Sequence, residues 1–122
     1  MMVFLIPATV AGLIAAIHFF IGGREVVRPL LTQDTLPPTV VMTHYFCWHL
    51  VTIMLVGLAC AFGVGSIAPE GRILAVFATV VAGLFAVWGL ALVIWKRLRH
   101  RDMPQWILFA VLAASGVGAL LV

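Results

Sequence analysis

The sequence predicts an all-α membrane protein, with four transmembrane helices in an antiparallel bundle and one domain over residues 1–122. Three observations carry that expectation. Hydrophobic residues fill 65% of the 122 positions and charged residues only 9%, against about half and about a quarter in an ordinary soluble domain. Mean hydropathy is +1.25. Apolar stretches also recur at the length a helix needs to cross about 30 Å of hydrocarbon, about 20 residues each. A chain so poor in charge cannot coat its own surface against water. That excludes a soluble monomer, a disordered chain and a nucleic-acid partner read by an extended basic face.

The four expected spans cover about residues 3–22, 39–62, 73–95 and 105–122. All should be helical, because lipid cannot satisfy open backbone groups. Gly22, Gly23 and Arg24 mark the first exit. Pro37 and Pro38 stand just ahead of the second span, where proline costs least. Gly63, Gly65, Pro69 and Gly71 read as a short second loop, and Pro104 opens the fourth helix. The start, Met-Met-Val-Phe-Leu, has no basic segment ahead of its apolar run. It reads as an uncleaved first span.

Lysine and arginine set the expected orientation. The first loop holds Arg24 and Arg28, the third holds Lys96, Arg97, Arg99 and Arg101, and the second holds only Arg72. Loops one and three therefore face the cytoplasm, and both termini face the other side. The net charge of +3 reports mainly the third loop. Cys47 and Cys60 fall within apolar segments and read as small buried side chains rather than a disulfide. Small residues recur four apart at Ala8, Gly12 and Ala16, at Gly57 and Ala61, and at Ala78, Ala82 and Ala86. Ser115, Gly116 and Gly118 thin the fourth helix. Such stripes let helices approach closely, within one chain or across a homodimer.

The polar groups gather between Ile17 and His49. His18 is expected about one turn above the cytoplasmic end of the first span, and His44 at a similar depth in the second. Antiparallel neighbours would bring them level. His49 falls near mid-membrane. Tyr45, His49 and Thr52 form one polar stripe at helical period, with His44 and Trp48 beside it. An ionisable group inside a span is by default a functional hypothesis. Its plain competitor is a neutral imidazole bonded within its own helix pair. The expected ligand-binding set is His18, His44, Tyr45, Trp48 and His49, with Arg24 and Arg28 at the mouth holding an anionic head group. Arg24 and Arg28 also fit an interfacial helical extension lying against lipid phosphates. Trp95 and Trp106 suit the aromatic belt at the membrane entries.

The segments His18-Phe19-Phe20-Ile21-Gly22-Gly23-Arg24-Glu25-Val26-Val27-Arg28-Pro29-Leu30-Leu31, His44-Tyr45-Phe46-Cys47-Trp48-His49 and Pro104-Gln105-Trp106 resemble a group of small four-span bacterial membrane proteins of unassigned function. The resemblance covers most of the chain and implies a bacterial inner-membrane location. Length and span count are also similar to the small multidrug resistance transporters. Those carry an essential glutamate in their first helix, where this chain has His18 as its only ionisable residue.

Three functional readings follow. The first is a non-enzymatic bundle with a cytoplasm-facing pocket for a lipid, quinone or other amphiphile, or an accessory subunit of a larger membrane complex. The second is a haem- or transition-metal-binding redox protein, ligated by His18 with His44 or His49. The third is a small dimeric transporter coupled through histidine. Enzyme signatures are missing: there is no phosphate-binding glycine loop, no H-E-x-x-H and no G-x-S-x-G. No Asp or Glu falls within an expected span, which argues against two-carboxylate hydrolysis and carboxylate-driven antiport.

Overall fold

In the computed structural model, residues 2–122 are described, and they fold as helices joined by short turns. We label four continuous helical rods α1 (Met2–Thr32), α2 (Pro38–Ile67), α3 (Pro69–Trp95) and α4 (Gln105–Leu121). The first three are long and apolar enough to cross a membrane, and α4 is a shorter apolar helix. Neighbours in sequence pack against each other, and α4 closes the ring onto α1.

The first exit differs from expectation. Gly22 and Gly23 do not end α1; the rod runs ten residues further, to Thr32. Glycine in a helix costs only about 1 kcal/mol, and no proline intervenes before Pro29, which sits in the first turn of the last short α-helical stretch, Arg28–Thr32. The rod accommodates the glycines by widening. Residues Ile17–Val27 form a π-helix, and Arg28 N–H donates to Gly23 O, five residues back. The second exit also comes late. α2 passes through Gly63 and Gly65 to Ile67, and the turn is made at Ala68–Gly71. The turn between α1 and α2 is tied by one side chain. Gln33 Oε1 accepts from Thr35 N, Thr35 Oγ1 and Leu36 N at 2.8–2.9 Å.

The main core cluster fills one end of the bundle, and the other end keeps only Val27, Val41 and Val93 as buried apolar residues. Phe4, Ala11 and Ile14 of α1 meet Leu55, Leu58 and Phe62 of α2, Ala75, Ala78 and Ala82 of α3, and Leu112 and Ala119 of α4. Most of these lie towards the second turn. Closely approaching helices gain dispersion energy, and small residues permit the approach. A Cβ on Gly116 would collide with Thr79 Oγ1, and one on Gly89 would come within 2.9 Å of Trp106 Cβ. Gly89 of α3 and Gly116 of α4 are therefore seam residues, whereas Gly83 and Gly118 face open space. So do Gly12 and Gly57. The two cysteines are likewise exposed rather than buried, facing outward from α2.

Two basic residues of the turns have structural duties. Arg72 Nη2 donates to Leu120 O at 2.6 Å, so a guanidinium closes the carbonyl end of α4, where the helix dipole favours positive charge. Arg97 has φ 52°. Its N–H donates to Ile94 O and the next N–H, of Leu98, to Val93 O. This is the left-handed helix stop that glycine ordinarily occupies.

Candidate functional site

Where the core ends, a cavity of about 510 Å³ begins. Ile14 and Leu55, the last core residues of α1 and α2 on that side, form its floor. Its α1 wall carries His18, Ile21, Gly22 and Glu25 at successive helical turns, and its α2 wall carries Trp48 and Val51. The remaining wall is the end of the third loop and the first turns of α4: Arg101, Asp102, Gln105, Leu108 and Phe109. α3 contributes no lining residue.

His18 is held rigidly. Its ring stacks on the Trp48 indole at 4.4 Å between centroids and 21° between planes. Nε2 sits 3.2 Å from Trp48 O and 3.1 Å from Thr52 Oγ1. A carbonyl only accepts, so Nε2–H is the donor and the neutral ring keeps Nδ1 as a bare acceptor. Thr52 Oγ1 also donates to Trp48 O at 3.2 Å. Trp48 lies flat over the two glycines of the π-helix: Cβ atoms there would touch its Nε1 and Cη2 at 3.8 and 4.0 Å. Among the described residues, neither His18 Nδ1 nor Trp48 Nε1 has a hydrogen-bond partner, and neither is sealed from the outside. π-helical turns are frequent at functional sites.

The predicted site residues divide into three groups. His18 and Trp48 line the cavity. His49 and Tyr45 stand behind it: His49 meets Trp48 edge-on at 5.0 Å, and Tyr45 meets His49 edge-on at 4.6 Å. His44, Arg24 and Arg28 are exposed and not among its walls. His44 Nδ1–H donates to Val40 O on its own helix at 2.8 Å. The expected level pairing of His18 with His44 is therefore corrected. His18 and Thr52 are equidistant from Thr35, in the middle of the turn at residues 33–37. An antiparallel hairpin joins residues equidistant from its turn, so His18 faces Thr52. The extension of α1 to Thr32 moved that register. Arg24 lies level with the mouth but is not among its lining residues, since Glu25 and Val26 beside it are, and Arg28 lies further along the rod, past the last lining residue of α1. Among the described residues, no group of three or more His, Cys, Asp or Glu side chains could hold a metal ion.

Sequence reading missed Glu25, Arg101, Asp102, Gln105 and Phe109. The signal for Glu25 was present: Ile14, His18, Gly22 and Glu25 repeat at helical spacing on one face. For the third loop there was none, because nothing in the spacing says which helix its end folds against. Around the mouth, Arg99 grips Asp102 at 2.6 and 3.3 Å, and Arg101 reaches the same carboxylate at 3.8 Å. Trp106 Nε1 donates to His100 Nδ1 at 3.1 Å, and Lys96 Nζ sits 4.0 Å over the Trp95 ring. No protein-family model, no curated protein and no solved structure matches the chain.

Proposed function

We propose that the protein is a small multi-pass membrane protein that binds one amphiphile, a lipid, quinone or similar molecule, in the cavity between α1, α2 and α4. The observation that carries this reading is the gradient along the cavity. Its floor is hydrocarbon, from Ile14, Leu55, Leu108 and Phe109; half-way up stand the unpartnered His18 Nδ1 and Trp48 Nε1; its mouth bears Glu25, Arg101 and Asp102. Its volume is in the range of pockets that enclose small organic molecules, about 300–1,000 Å³. A molecule with an apolar tail and a polar head matches each level. Of the two carboxylates at the mouth, Asp102 is held by Arg99, and the sequence carries no nucleophile motif, which favours binding over catalysis. The lysine and arginine balance favours a mouth on the cytoplasmic side of an inner membrane.

Photo-crosslinking tests the reading. A lysolipid with a diazirine on its acyl chain is expected to label Val51, Leu55, Leu108 and Phe109. Labelling confined to outward residues such as Phe77, Leu84 and Val87 would contradict it.

A further inference from the structure

Of the three charged residues at the mouth of the cavity, Glu25 and Arg101 are of opposite sign and do not meet. Glu25 stands on the α1 wall and Arg101 on the loop wall. Among the described residues Glu25 has no ion pair at all. Arg101 has only the long 3.8 Å contact to Asp102 Oδ1, because Arg99 takes that carboxylate at 2.6 Å. Both side chains are exposed. Left to themselves, exposed opposite charges on facing walls gain little by closing, and a molecule between them can satisfy both.

We propose that the head group bound here is zwitterionic, a phosphate joined to a primary ammonium, as in a phosphoethanolamine lipid. This rests on the amphiphile reading and names its ligand class. The Arg101 guanidinium offers paired N–H donors that match a phosphate. The Glu25 carboxylate is an acceptor only and calls for N–H donors, which an ammonium has and a trimethylammonium lacks. Choline-type heads are ordinarily caged by aromatic faces. Here the indole that lines the cavity, Trp48, is deeper than the charged mouth and has His18 stacked on it. A purely anionic head would leave Glu25 facing negative charge. The tail then runs past Trp48 to the Ile14 and Leu55 floor.

The test is native mass spectrometry and titration of the purified chain with lysophosphatidylethanolamine, lysophosphatidylcholine and lysophosphatidylglycerol of one acyl length. The ethanolamine lipid is expected to bind about tenfold tighter than either other, the equivalent of one good charged contact. Glu25→Gln should abolish the preference over the glycerol lipid without weakening the glycerol lipid itself. Arg101→Gln should weaken both. Free phosphoethanolamine, without a chain, should compete only weakly. Equal binding of all three lipids, sensitive to Val51→Trp inside the cavity, would overturn the head-group assignment alone. No saturable binding of any lysolipid would overturn the cavity reading beneath it.

Discussion

His18 and Thr52 meet across the first hairpin, Nε2 to Oγ1 at 3.1 Å, because each is equally distant from Thr35 in the turn. That pairing, with the stack on Trp48, holds the imidazole against the cavity. Thr52→Val keeps the shape and removes the hydroxyl. It should cost about 0.5–1.5 kcal/mol, the net worth of one hydrogen bond, since Trp48 O still accepts. Reversible unfolding in mixed micelles measures it; an unchanged stability would show that the pairing is incidental.

The seam between α3 and α4 should be intolerant of a single methyl. In Gly116→Ala the new Cβ meets buried Thr79, and overpacking of this kind typically costs about 1–3 kcal/mol. Thr79→Ala in the same chain should restore much of the loss. Gly12→Ala, which faces open space, should be neutral or gain up to about 1 kcal/mol from helix propensity. Equal effects of the two alanines in the same unfolding assay would contradict this packing.

Arg97 occupies a left-handed position at φ 52°, where a side chain costs about 1–2 kcal/mol. Arg97→Gly should therefore raise stability by about 1 kcal/mol. A fall would mean that its side chain contributes more than its backbone loses. Thermal denaturation in detergent is sufficient to read the sign.

Gln33 accepts three hydrogen bonds through Oε1 while its Nε2 is buried and unpartnered. Gln33→Leu should loosen the hairpin by about 1–3 kcal/mol, since the turn's donors lose their acceptor. Gln33→Glu keeps the acceptor and removes the orphan donor, so it should cost far less. Hydrogen exchange at Thr35 and Leu36 reports both.

The helical class and the approximate place of all four rods were legible, because apolar run length and proline position are local properties. The exits were not. Gly22 and Gly23 read as a stop, yet the chain widened into a π-helix under Trp48 and continued. That single misplacement made His44 the expected partner of His18 where the structure has Thr52. Within the site, His18 and Trp48 were legible as polar or aromatic exceptions on apolar faces. Arg101 and Asp102 were not, because the third loop's fold against α1 depends on packing that no residue spacing encodes. Arg97 shows the same limit in small: its charge was legible, its role as a helix stop was not.

The central claim is that the cavity above Ile14 and Leu55 holds one amphiphile. Native mass spectrometry of the chain released gently from its membrane tests this most directly, comparing wild type with Val51→Trp, whose indole would fill the space. The account predicts one retained amphiphile per wild-type chain and none on the variant. Bare wild-type chains, or equal retention by both, would contradict it.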